Sequence, residues 1–378
     1  MRSYTVTSVW GIPIRINVSL IVFLPILAYL IGSGGQIELY AGVIESLTGR
    51  GFDLEALRAG RMPWVIGITA ATGLFVSVTL HELGHSWVAL RYDLEIESIT
   101  LWILGGLAAL SEIPREWNRE FWIAIAGPIT SVLVGGVCYA AVLAIPESSQ
   151  VIRFVVGWLA IVNVTLAVFN LLPAFPMDGG RILRAILARS RPYASATRIA
   201  GRIGVVFAIL FAVFGVLNFN PIFLLLAWFI YGAATTESRT VLLDELLHDI
   251  TVGDIMSRDP RTVEADTSLR EFADRMVRDR RTVYPVTDDG EVIGAVSLAD
   301  LGGQRNVDRD STTVRSVMRE VPRIDVGADA FDTLAAHGGR EGLLALVTED
   351  GAVTGVLSDS DYSHALTIQR GFRSGISR

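Results

Sequence analysis

The chain has 378 residues, 51% hydrophobic and only 19% charged, with a net charge of −7 and a mean hydropathy of +0.47. That length suggests two or three domains, and the balance points to an integral membrane protein rather than a wholly soluble one. The single cysteine, Cys138, excludes an intrachain disulfide and a multi-cysteine metal site.

Taken in chain order, six apolar segments approach the ~20 residues a bilayer crossing needs. They lie near 16–32, 63–88, 121–145, 151–172, 203–219 and 221–236, the last two parted only by the turn "NFNP" at 218–221. No cleavage pattern precedes the first, which is expected to stay as an anchor. The stretch 33–62 after it receives no role. Arg181, Arg184, Arg189, Arg191, Arg198 and Arg202 follow the fourth segment, and Arg91, Arg115 and Arg119 the second; Arg153 alone follows the third. The bias puts both termini on the cytoplasmic side of a cell membrane.

Between the second and third segments, "YDLEIESITLWILGGLAAL" (92–110) alternates and then meets Gly105-Gly106, a strand or hairpin pattern. Such backbone at membrane depth must pack on protein or line a wet cavity.

Past residue 250 the apolar runs stop. Residues 1–250 carry 17 acids and 16 arginines, whereas 251–378 carry 22 acids and 16 arginines. The acidic third is an internal repeat: "DIMSRDPRTVEADTSLREFA" (254–273) aligns with "SVMREVPRIDVGADAFDTLA" (316–335), and "DDGEVIGAVSLADL" (288–301) with "EDGAVTGVLSDSDY" (349–362). Each copy reads as short strand, helix, strand, Asp-Gly turn, strand and a last helix opening at Ser-x-x-Asp. The expected organisation is a multi-pass α-helical membrane domain over 1–240, a linker over 241–250, two α/β modules over 251–307 and 308–367, and a tail over 368–378.

The chemistry concentrates in "HELGH" at 81–85, inside the second apolar segment. Spaced one helical turn apart, His81 and His85 suit two nitrogen ligands on one Zn²⁺, and Glu82 beside them can take a proton from a water. The alternative is a histidine pair hydrogen-bonded between packed helices, with a salt-bridged glutamate. Charged groups at bilayer depth favour the metal. A catalytic zinc takes three protein ligands, so a third must come from elsewhere. Asp178 in "NLLPAFPMDGGR" (170–181) is the best placed, being the sole acid between Glu147 and Glu237. As an alternative or additional role, it could N-cap the helix that follows.

HELGH in an early span, followed by "NLLPAFPMDGG" (170–180), resembles the site-2 proteases, intramembrane zinc metalloproteases, over most of residues 60–190. The resemblance implies one zinc on His81, His85 and Asp178, Glu82 as general base, and Asn170 on the substrate backbone or developing oxyanion. It implies also that "LGGLAAL" (104–110), with Gly105 and Gly106, clamps the substrate, and that "AGP" (126–128) is the family's small-residue motif. The substrate would be a transmembrane helix of another membrane protein, unwound and held by a strand edge near 94–101. The repeat resembles a tandem CBS pair. That likeness implies adenine nucleotide contacts at Ser297, Asp300, Ser358 and Asp361, although Ser-x-x-Asp is also a capping pattern. It implies in addition a homodimer through the pair; no nucleic acid partner is expected. Two readings compete: a CBS-regulated transporter or channel, which predicts ionisable residues spread over several spans, and an inactive helix-binding scaffold, which predicts loss of Glu82 or a ligand.

Overall fold

The computed structural model describes residues 3–376, apart from 104, 111–114, 259–260, 280, 303–307 and 339–341. It divides into two units, Met1–Arg239 and Thr240–Arg378.

The first unit opens with a hairpin that the sequence reading missed. Strands β1 (Ser3–Val9) and β2 (Ile12–Asn17) pair antiparallel around Trp10 and Gly11, both at positive φ (53° and 82°), the geometry of a tight hairpin turn. The signal was present in "IPIRIN", where Ile12 and Ile14 are buried and Arg15 is exposed. Strand β3 (Ile96–Trp102) then pairs parallel with β2 and antiparallel with β4 (Gly105–Leu110), giving the order β1-β2-β3-β4. The expected hairpin at 92–110 is therefore present, its turn residue Gly105 at φ +134°. The expected free edge near 94–101 is not. Strand β3 has a neighbour on each side, because β2 takes the edge that the local pattern left open, and the free edge on the cavity side is β4. Residue 104 of the 104–110 segment lies outside the described residues.

Helix α1 (Val18–Ile31) is capped by the Asn17 side chain. After a bend of 67° the chain continues as α2 (Gly34–Thr48), and α3 (Leu54–Arg58) follows, so the unassigned insert is helical. Helix α4 (Met62–Leu90) has 29 residues, about 43 Å at 1.5 Å per residue, and more than spans a hydrocarbon core. Its N-terminal half lies close against α1: a Cβ on Gly67 would overlap the Ala28 carbonyl. Helices α5 (Trp117–Ala144), α6 (Gln150–Asn170), α7 (Asp178–Ala188), α8 (Tyr193–Leu217) and α9 (Pro221–Leu247) complete the unit.

Among the described residues, four helices (α4, α5, α6 and α8) are long and apolar enough to cross a membrane, five if the bent α1–α2 pair is one span. The sixth expected segment falls on α9, which does not meet the same test and runs on through Glu237, Arg239, Asp244 and Glu245. The arginine-rich stretch after the fourth segment begins with the amphipathic helix α7, whose Arg184 is buried in ion pairs.

In the second unit, α10 (Val252–Ile255) leads into β5 (Ser257–Arg258), β6 (Val263–Glu264), α11 (Leu269–Asp279), β7 (Val283–Asp288), β8 (Glu291–Ser297) and α12 (Leu298–Gly302). A 3₁₀ turn (Val314–Ser316) then precedes β9 (Arg323–Asp325), α13 (Ala330–His337), β10 (Leu344–Glu349), β11 (Ala352–Ser358) and α14 (Asp359–Ile376). Both Asp-Gly turns carry positive φ, at Asp289-Gly290 and Asp350-Gly351. The two copies exchange their first strands. Strand β5 pairs with β11 of the second copy, while Arg319 bridges to Ala295 of the first.

Candidate active site

Helix α4 aims His81 and His85 at one point, seven residues or about 10 Å before its C-terminal end. Asp178 meets them there from the first turn of α7. His81 Nε2 lies 3.2 Å and His85 Nε2 3.3 Å from Asp178 Oδ2, and the two Nε2 atoms are 3.2 Å apart. Two bonds of ~2.1 Å at a tetrahedral centre put their ligand atoms about 3.4 Å apart, so these spacings suit one zinc. All three side chains are buried or nearly so.

Each imidazole is oriented from behind by α5. Ser131 Oγ lies 2.9 Å from His81 Nδ1, and the Ile123 carbonyl accepts from His85 Nδ1 at 2.7 Å. The second bond decides the chemistry. A carbonyl only accepts, so His85 Nδ1 carries a proton, and Nε2 is the ring atom that faces the Asp178 carboxylate and His81. A proton shared by these groups, or a cation bound among them, would satisfy such a convergence, and two nitrogens with one carboxylate match in kind the three protein ligands of catalytic zinc sites. Gly127, in the "AGP" segment, makes room for it, since a Cβ there would come within 2.7 Å of His81 Nε2 and closer still to His85.

Asp178 does not cap α7. Met177 occupies the cap position and no side-chain cap bond forms, because Asp178 is already helical and its carboxylate is turned to the histidines. It is held there by the turn between α6 and α7, which has a cis peptide at Phe175-Pro176. A Cβ added to Gly180 would come within 3 Å of Ala174 and Phe175 backbone atoms, so no side chain fits there.

A cavity of about 350 Å³ opens beside the cluster, lined by Glu82, Asn170, Gly105, Gly106, Trp102 and Arg181 as well as the three cluster residues. Gly106 faces Glu82 so closely that a Cβ would stand 2.7 Å from Oε1. The expected site residues of the first unit are thus brought to one cavity. Those of the second form two capping boxes. Asp300 Oδ2 accepts from the Ser297 amide and hydroxyl at 2.7 and 2.6 Å, and Asp361 Oδ2 does the same for Ser358 at 2.8 and 2.6 Å. The other oxygens are engaged across the repeat, Asp300 Oδ1 by Arg319 and Asp361 Oδ1 by Ser257. Ser131, Gly127 and the Ile123 carbonyl were not foreseen as partners of the histidines. Nor was the buried Arg184–Glu120 pair, although Glu120 and Arg184 in apolar-flanked helices were a readable signal.

Residues 69–211 match peptidase family M50, and residues 252–301 match the CBS domain. A zinc metalloprotease of Methanocaldococcus jannaschii is 37% identical over 299 residues, covering 78% of this chain and 84% of that protein. The chain belongs to peptidase family M50. Rip3 of Mycobacterium tuberculosis is another relative, 32% identical over 325 residues, 81% of this chain and 82% of its own. The solved site-2 protease from Methanocaldococcus jannaschii is 34% identical, with a TM-score of 0.43 over 63% of this chain and 95% of that one. This M50 peptidase is accordingly an intramembrane zinc metalloprotease that carries a CBS domain, and it acts on membrane-protein substrates in a lipid bilayer.

Proposed function

We propose that His81, His85 and Asp178 hold the zinc and that Glu82 is the general base for hydrolysis of a peptide bond in or near a transmembrane segment. The observation carrying this reading is the convergence of ligand atoms of His81, His85 and Asp178, all within 4.8 Å of one another, beside a cavity that contains Glu82. Bound there, zinc supplies Lewis acidity for the scissile carbonyl and lowers the pKa of water to ~7. Glu82 takes the proton of the attacking water and passes it to the leaving amine. Its carboxylate is pressed by Gly106 towards the cavity, which limits its freedom before the reaction starts. Asn170, at the end of α6 on the cavity wall, donates its amide N–H to the substrate carbonyl or the oxyanion that develops from it. The free edge of β4, beginning at Gly105 and Gly106, offers backbone groups to an unwound substrate segment.

The test is Glu82→Gln in the full chain with a membrane-embedded reporter. Zinc should stay bound at one per chain while cleavage is lost; robust cleavage by this variant would remove Glu82 from the mechanism.

The cytoplasmic placement of both termini belongs to the same proposal. It requires an even number of crossings, so α9, although it falls outside the four or five helices that meet the span test, would cross as the sixth with α1–α2 counted as one. Accessibility of cysteines placed at Ser3 and Ser363 from outside intact cells checks it, and labelling of one alone would overturn it. For the CBS unit, we infer an adenine nucleotide in the cleft of about 200 Å³ lined by Thr282, Ser297, Arg319, Leu343, Ser358 and Ser360. A hydroxyl at a helix start and an arginine are suitable phosphate partners. Calorimetry of the full-length protein with AMP and ATP tests this, and no heat at millimolar nucleotide leaves helix capping as the role of Ser297, Asp300, Ser358 and Asp361. A homodimer through the CBS pair is the accompanying expectation, checked by sedimentation of the protein in detergent.

A further inference from the structure

Arg184 projects from α7 less than two turns after Asp178, and only 2% of its side chain is exposed. Its guanidinium is held by two carboxylates of unlike character. Glu120 Oε1 on α5 accepts from Nε at 2.7 Å and lies 2.5 Å from Nη2, with 5% of its side chain exposed. Glu237 Oε1 on α9 accepts from Nη1 at 2.5 Å, with 31% exposed. Phe175 and Tyr193 stack near the guanidinium, at 5.0 and 4.9 Å. The Glu120 arm is enclosed, and the arm on α9 stands where water can compete for it.

A buried ion pair is a poor way to gain stability, because desolvation consumes most of the attraction; its better-attested use is to specify one arrangement. What is arranged here is the metal centre. Helix α5 carries Glu120 and, within the next three turns, the Ile123 carbonyl, Gly127 and Ser131, all of which touch the two histidines. Helix α7 carries the third member, Asp178. The Arg184–Glu120 pair ties those two helices together, and Phe175, on the turn that precedes Asp178, packs on the same guanidinium.

We propose that Arg184 is a positioning residue for the zinc centre, fixing Asp178 against His81 and His85, and that Glu237 is its releasable arm. The inference rests on the zinc assignment above and adds a route to it. The helix that bears Glu237 is the one by which the chain leaves the membrane unit, so movement of α9 alters the hold on Arg184 and, through α7, on Asp178.

The experiment is zinc competition with a chromophoric chelator, together with the visible spectrum of the cobalt-substituted protein, on full-length protein in lipid nanodiscs. Arg184→Lys should weaken zinc by about 10- to 100-fold, in the range seen for groups that orient ligands, and shift the cobalt bands. Glu237→Gln should weaken zinc less, by several-fold, in the same direction. Zinc affinity and cobalt bands within twofold of wild type in Glu237→Gln overturn the releasable arm, and the same result in Arg184→Lys overturns the positioning role whatever the loss of thermal stability. Should Arg184→Lys fail to fold, Glu237→Gln, whose carboxylate is partly solvated, is read in its place, and unchanged zinc affinity and cobalt bands there overturn the positioning role together with the releasable arm. A wild-type protein that takes up no zinc would instead sink the zinc assignment itself.

Discussion

His85 shows how one hydrogen bond can set the chemistry of a site. HELGH supplied the ligand pair in the sequence, but nothing local says which ring nitrogen carries the proton. The Ile123 carbonyl, 38 residues later on another helix, decides it. The glycines are similar. Gly106 and Gly127 are small because Glu82 and the imidazoles occupy the space a side chain would need. Gly106→Ala is expected to displace the Glu82 carboxylate and lower kcat by about 100-fold, the scale of a lost general base, with zinc content unchanged. Metal analysis beside a cleavage assay separates this from Asp178→Asn, which should lose most of its zinc. Full zinc in the Asp178 variant would return that residue to a structural role.

At the scale of elements, the lesson is how pairing partners change what a segment can do. The alternation in "LEIESIT" foretold a strand, but not that β2 would lie against it and leave β4 as the edge. The repeat foretold two like modules, but not their exchange of β5 and Arg319 between sheets. The Ser-x-x-Asp segments were ambiguous between capping and phosphate contact, and the structure contains the capping bonds in both copies. A third capping box opens α10, where Thr251 hydrogen bonds hold the Asp254 carboxyl below its ordinary range. A lowered carboxylate stabilises the folded form above its unfolded pKa and loses that contribution as pH falls through the folded value. The cap is therefore at full strength at pH 7 and fails below about pH 4. Protection factors over 251–258, corrected for the intrinsic exchange rate, should fall on such acidification, and Thr251→Ala should lower them already at neutral pH. Equal exchange in variant and wild type at pH 7 would count against the cap.

The whole molecule consists of two units with separate cores: in the first, clusters that include one around Phe154 and Trp158 and one around Ile14 and Ile99, and in the repeat, one around Phe272 and Tyr284 and one around Ile324 and Leu357. Among the described residues, the group that could hold a metal ion lies in the first. If His81, His85 and Asp178 hold the zinc as proposed, chelation should lower the thermal transition of the membrane unit and leave that of the repeat in place. Calorimetry of the full chain before and after EDTA measures this; a joint shift of both transitions would mean the two unfold together.

The sequence by itself determined the class of the protein. Hydrophobic runs, the i, i+4 histidines, a lone acid ahead of a helix and an internal repeat are each local patterns, and local patterns report helix faces, turns and ligand types directly. Tertiary structure alone decided which atoms converge. The proton position on His85, the room behind Gly127, the free edge at β4 and the burial of Arg184 each depend on groups brought from 38 to 97 residues away, or on a neighbouring strand. Such partners leave no periodicity in the chain, because packing of one helix on another is a property of surfaces rather than of spacing.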